Sequence, residues 1–124
     1  MVQNGEPILI DLDTLCVGHP VFELGSMYNA FVGFAETDSE ITKKFMGFEA
    51  ETAERFWKIS LKKYLGTEDD AVFESVQNKA RVIGYTRLLR RSARRLNEDG
   101  AQEKIKYYTE KLTEVIGKVD TLEF

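Results

Sequence analysis

The feature that most restricts the fold is the stretch at residues 7–25, which joins a short apolar run to a proline-started amphipathic segment. Residues 8–10, Ile-Leu-Ile, lie between Pro7 and a pair of acids, a pattern typical of a short strand covered on both faces. Residues 1–4, followed by Gly5, read as a strand end and a turn that leads into the strand at residues 8–12. We therefore expect a small β-hairpin at the N-terminus.

Two carboxylates, Asp11 and Asp13, follow the apolar run. Side chains alternate between the faces of a strand, so residues two apart point the same way if the strand continues through them. The two carboxylates could then share a divalent cation. If the chain turns at Leu12, that geometry is lost, and the spacing alone leaves both possibilities open.

Residues 16–20, Cys-Val-Gly-His-Pro, predict a loop. Gly18 permits unusual backbone angles, and the residue before Pro20 is steered away from helical geometry. Pro20 itself suits the first position of a helix. Cys16 is the sole cysteine and has apolar neighbours, so we expect a buried, inert thiol and assign it no role.

The motif I-D-L-D, followed by V-G-H-P-V-F-E-L-G, resembles the magnesium-binding segment of the aminoglycoside phosphotransferase and choline kinase family, whose fold is related to protein kinases. In that family a strand ends in I-D-x-(D/E), and its first acid corresponds to the aspartate of the kinase D-F-G motif. Asp11 occupies that position here. The family's G-D-P and D-(L/I)-(A/G) elements read as G-H-P and E-L-G, so His19 and Glu23 replace the commoner aspartates and their hydrogen bonds are expected to differ.

The resemblance implies that Asp11 binds the magnesium ion that bridges the phosphates of ATP, and that Asp13 supports the ion directly or through water. Mg²⁺ and ATP are thus the cofactors implied for an intact enzyme, whose partner is a small-molecule phosphate acceptor. Neither the acceptor nor the choice between ATP and GTP can be read from these residues.

The family's catalytic loop, H-G-D-x-x-x-x-N, and its nucleotide-binding lobe would precede residue 1. The only histidine, His19, lies downstream of Asp11, so no catalytic residue is assigned within the 124 residues. We expect one domain over residues 1–124, equivalent to the C-terminal part of a kinase-like C-lobe. Such a fragment is expected to be inactive alone and to bind ATP and Mg²⁺ only weakly.

An alternative interpretation is a stand-alone helical binding or oligomerisation module derived from a kinase. In both cases the strand predicted at residues 8–12 would present an unpaired edge and apolar surface. This predicts a dimer or larger assembly, or association with a missing N-terminal half.

The remainder of the chain predicts about four main helices, which makes the fold class mainly α with a short hairpin. The helices are expected at about residues 20–34, 50–65, 68–97 and from Gly100 onwards, with a short helix at 41–46. Gly47 and Gly66 are expected stops. Thr67 and Asp70 suggest a capping-box-like start for the third helix. That helix would be about 45 Å long, so a break near Gly84 is considered.

Five arginines recur at helical spacing in the third helix and form the only charge cluster of the sequence: Arg87, Arg90, Arg91, Arg94 and Arg95. One interpretation is a site for an anion, because the guanidinium group binds phosphate in bidentate fashion. The other is a solvated face, partly neutralised by Glu98, Asp99 and Glu103 near a helix C-terminus. Glu23 lies in the first turn of the helix predicted from Pro20 and also has two interpretations. It is either paired with another side chain or a solvated carboxylate at the helix N-terminus.

Composition excludes several classes of function. A net charge of −4 argues against a general nucleic-acid binder. No apolar run approaches the roughly 20 residues that span a bilayer, and the N-terminus lacks the features of a signal peptide. We therefore expect a cytoplasmic protein without a membrane partner.

Overall fold

The computed structural model describes residues 2–8 and 17–124 and begins with an antiparallel hairpin. Strand β1 (Val2–Gln3) pairs with strand β2 (Glu6–Pro7), with Val2 opposite Pro7 and Gln3 opposite Glu6. Asn4 and Gly5 have φ values of 54° and 82°, as an Asn-Gly hairpin turn requires. The hairpin is confirmed, but Ile8 is not part of a strand and residues 9–12 lie outside the described residues.

Helices make up most of the described chain. Helix α1 (Val21–Tyr28) continues into a π-helical turn (Asn29–Gly33). It is followed by α2 (Glu40–Met46), α3 (Ala50–Leu65), α4 (Asp70–Ala93) and α5 (Ala101–Ile116). The mainly helical class is confirmed, and α3 has the predicted bounds. No helix in the described residues has the length and apolar character needed to span a membrane.

The starts and stops of the helices follow local chemistry. Gly47 and Gly66 end α2 and α3 with φ values of 77° and 65°, a region that favours glycine. The predicted cap of α4 is wrong. Asp69 is the N-cap, and its carboxylate accepts a hydrogen bond from the backbone N–H of Ala71 at 2.8 Å. The Thr67 hydroxyl instead accepts from the backbone N–H of Asp69 at 3.1 Å, which fixes the turn before the helix.

The break considered near Gly84 does not occur, since α4 runs without interruption from Asp70 to Ala93. Gly84 lies where α4 packs against α1: a Cβ atom there would stand 2.7 Å from Asn29 Oδ1. On the facing helix, a Cβ atom at Gly25 would stand 2.6 Å from Ile83 Cγ2. The absence of a side chain at these two glycines therefore allows α1 and α4 to pack closely.

The core is formed by buried side chains of α1, α3, α4 and α5, and α4 packs against both α1 and α5. Its largest fully buried side chains are Trp57, Tyr28, Tyr108, Leu61 and Val21. Trp57 lies edge-on to Tyr28, with ring centroids 5.6 Å apart, and donates its indole N–H to Gln77 Oε1 at 2.9 Å. The buried indole N–H is thus hydrogen-bonded, while both rings contribute apolar contacts to the core.

Candidate functional site

Asp11 and Asp13, the predicted metal ligands, and Cys16 lie outside the described residues. Their predicted geometry therefore stays a prediction. Within residues 2–8 and 17–124, no group of three or more His, Cys, Asp or Glu side chains is arranged to hold a metal ion.

The residues that follow this segment show how α1 begins. His19 Nδ1 accepts a hydrogen bond from the backbone N–H of Val21 at 3.3 Å, and the Pro20 carbonyl accepts from Leu24 at 2.9 Å. The imidazole also meets the ring of Phe124 edge-on, with centroids 5.3 Å apart. His19 thus supplies an acceptor at the start of the helix and brings the C-terminal residue against the loop.

Glu23 is exposed in the first turn of α1 and makes no hydrogen bond or ion pair with any other described residue. Negative charge is favourable at this end of a helix because unpaired backbone N–H groups carry partial positive charge. Among the described residues, Glu23 therefore behaves as a solvated carboxylate.

The arginine stripe is exposed along its length, but its members have different neighbours. Arg87 donates to the hydroxyl of Ser26 on α1. Arg91 lies over the ring of Phe34, with 5.4 Å from the guanidinium carbon to the ring centroid. Arg95 pairs with Glu98 at 3.1 Å. Arg95 is therefore paired with an acid, whereas no carboxylate lies within ion-pair distance of Arg91 in the described part of the chain.

Three phenols converge on one carboxylate, an arrangement that sequence reasoning missed. Glu36 Oε1 accepts hydrogen bonds from the hydroxyls of Tyr28 at 2.5 Å and Tyr85 at 3.0 Å, and Oε2 accepts from Tyr107 at 3.4 Å. Arg81 Nε donates to the Tyr28 hydroxyl at 3.3 Å. We call these five residues the Glu36 network. It connects the segment after the π-helical turn to α1, α4 and α5.

The Glu36 network holds its phenols in the protonated form. Burial raises the pKa of Tyr28 and of Tyr85 far above the ordinary 10.0, and the charge of Glu36 adds to the effect. Burial, with the charge and hydrogen bond of Glu36, raises the pKa of Tyr107 to about 12. At neutral pH the phenols are hydrogen-bond donors rather than bases, so the network is suited to fixing structure.

Two cavities adjoin Arg91, Phe34 and Ile41. One, of about 190 Å³, also includes the charged side chains Asp38, Arg95, Glu98, Asp99 and Lys104. The other, which we call the α2 cavity, has a volume of about 270 Å³. The α2 cavity is lined by Ala30, Phe34, Ile41, Thr42, Phe45, Met46 and Arg91.

Thr42 is a polar residue among the apolar walls of the α2 cavity. It is 2% exposed, and its Oγ1 has no hydrogen-bond partner among the described residues. A buried hydroxyl in this state typically costs about 1–3 kcal/mol. No sequence signal identifies it, because threonine within an amphipathic helix is ordinarily solvated.

Comparison of the chain with protein-family models, with curated proteins and with solved structures found no match.

Proposed function

We propose that the chain is the C-terminal portion of an ATP-dependent small-molecule phosphotransferase of the aminoglycoside phosphotransferase and choline kinase type. Its fold would then be the C-terminal part of a kinase-like C-lobe. The observation that carries the proposal is the sequence of residues 10–25, which joins I-D-L-D to V-G-H-P-V-F-E-L-G. The element order supports it, because a hairpin precedes this segment and a helix begins directly after Pro20.

The type of side chain that would bind the metal ion also supports the proposal. Carboxylate oxygens are preferred ligands of Mg²⁺. Asp11 would hold the ion, and Asp13 would hold it directly or through water. A bound Mg²⁺ would neutralise charge on the phosphates during transfer. No catalytic base is assigned in this chain, and since a base typically contributes about 10²- to 10⁴-fold in rate, we expect the chain alone to be inactive.

Replacing Asp11 tests the metal site in the isolated chain. We expect weak, saturable Mn²⁺ binding that selectively broadens amide NMR signals near residues 17–20, and we expect Asp11→Asn to abolish it because one charged ligand is lost. Asp120→Asn, which changes an exposed acid near the C-terminus, serves as the matched control. Equal broadening in the Asp11→Asn variant and the parent chain would show that these residues form no metal site.

The parent enzyme is tested by reading the DNA immediately upstream of codon 1. The proposal expects an in-frame stretch that encodes H-x-D-x-x-x-x-N. The corresponding longer protein should phosphorylate small alcohols or amines with ATP, and Asp11→Asn should remove that activity. A stop codon at this point, with a ribosome-binding site before Met1, would contradict the proposal.

The alternative function, a stand-alone binding or oligomerisation module, is favoured by a different observation. Several large apolar side chains are exposed, including Phe45 at 84%, Ile59 at 61% and Tyr64 at 58%. Exposed apolar side chains mark protein interfaces where they lie together in one patch. A partner or a second copy could cover it without any catalysis by this chain.

A further inference from the structure

The α2 cavity combines three properties of a small-molecule site. Its walls are formed largely by the apolar side chains of Ala30, Phe34, Ile41, Phe45 and Met46. Its volume of about 270 Å³ lies just below the range common for drug-sized ligands, which suits a molecule of one ring or a short chain. Thr42 and Arg91 are the polar residues of the lining. Apolar walls with a few polar groups are the usual composition of ligand sites.

Thr42 is the first of the two polar groups. Its hydroxyl is buried and lacks a partner in the described residues, whereas buried polar groups normally have one. The hydroxyl oxygen is shielded from solvent, so a ligand reaches it only if side chains of the cavity wall shift; Phe45, 84% exposed, is the wall residue with the clearest freedom to do so. An oxygen on that ligand would supply the missing partner.

Arg91 is the second polar group and sets the charge of the ligand. Its guanidinium lies over the ring of Phe34, and no acidic side chain of the described residues pairs with it. Stacking on a ring leaves the N–H edge of a guanidinium free to donate to a carboxylate, which it can bind in bidentate fashion. Among the described residues, Arg91 is also the only charged side chain of the lining, so the cavity favours an anion.

We propose that the α2 cavity binds a small amphiphilic carboxylate, whose aromatic or aliphatic body packs between Phe34, Ile41 and Phe45 and whose oxygens bind Arg91 and Thr42. The proposal goes beyond the phosphotransferase function and does not rest on it. Binding requires neither ATP nor a metal ion, so the two proposals can fail separately.

The test uses the full ¹⁵N-labelled chain and two probes of similar shape, 3-phenylpropionate and the uncharged 3-phenylpropanamide. We expect saturable chemical-shift changes at the amides of residues 41–46. The acid should bind about tenfold more tightly than the amide, because a charged partner for arginine adds that order of affinity. Equal affinities, changes that do not saturate, or changes mapped to another surface would overturn the proposal.

Variants separate the two polar contacts. Arg91→Gln should lower affinity for the acid to that for the amide, whereas Arg94→Gln, an exposed member of the same stripe outside the lining, should leave the preference unchanged. Thr42→Val keeps the shape of the side chain and should lower the affinity for both probes about threefold, since one hydrogen bond is lost. Thr42→Ser retains the hydroxyl and should keep most of the affinity. Loss of the acid preference in Arg94→Gln as well would overturn the assignment of Arg91.

A second copy of the chain is the competing occupant. In the absence of probe, shifts at residues 41–46 that depend on protein concentration, together with a doubled mass by light scattering, would show that a second copy fills the α2 cavity and would overturn the proposal. Unchanged shifts across concentrations, followed by saturable binding of the acid, would support it.

Discussion

Glu36 shows how much one loop carboxylate can organise. It accepts hydrogen bonds from Tyr28 and Tyr85 at 2.5 Å and 3.0 Å, and both phenols are largely buried. Glu36→Gln should lower the free energy of unfolding by about 1–3 kcal/mol, because a neutral amide oxygen accepts weaker hydrogen bonds from the phenols than a charged carboxylate does. Urea unfolding measures the change. Glu40→Gln, at an exposed acid, is the control and should be nearly neutral; an equal effect in both variants would contradict a special role for Glu36.

Tyr107 predicts a loss of stability at alkaline pH. Its pKa rises from 10.0 in the reference state to about 12 in the fold, so between these values the folded chain keeps a proton that the unfolded chain releases. The stabilisation is therefore complete below pH 10 and is lost as the pH rises from 10 towards 12. Unfolding free energies measured at pH 9, 10 and 11 should fall less steeply in Tyr107→Phe than in the parent chain. An unaltered slope in Tyr107→Phe would contradict the prediction.

At the scale of elements, the contact between α1 and α4 depends on residues without side chains. A Cβ atom at Gly84 would stand 2.7 Å from Asn29 Oδ1 and 3.1 Å from Tyr28 Cδ1. Gly84→Ala should destabilise the chain by about 1–2 kcal/mol, because overpacking outweighs the gain in helix propensity. Thermal or urea unfolding tests this. Gly117→Ala is the matched control, since φ is −64° and the nearest atom would be 3.6 Å away, so it should be neutral or slightly stabilising.

At the scale of the whole molecule, exposed apolar side chains predict self-association. Ile59 and Tyr64, both on α3 and outside the lining of the α2 cavity, are more than half exposed, and burying them against a second copy would remove apolar area from water. We expect light scattering to report a dimer or a larger assembly at tens of micromolar, and dilution to reverse it. A strictly monomeric mass across that range would contradict the prediction.

Much of the local structure could be predicted from the sequence. The bounds of α3 agree with its apolar periodicity, and the glycines after α2 and α3 end those helices as expected. The hairpin follows from Asn4-Gly5. These features depend on interactions within a few residues, which a sequence displays directly. The candidate metal residues Asp11 and Asp13 come from the same local pattern and stay a prediction, because they lie outside the described residues.

What the sequence alone determined is therefore the order, type and approximate limits of the helices, because periodicity and backbone preference act locally. Only the tertiary structure decided how distant residues meet. Glu36 accepts hydrogen bonds from the hydroxyls of Tyr85 and Tyr107, which are 49 and 71 positions away. Gly84 lies at a close contact between two helices and does not break a helix. The α2 cavity likewise arises where the π-helical turn, α2 and α4 converge. Such contacts depend on the angle and distance at which helices pack, and no single segment contains that information.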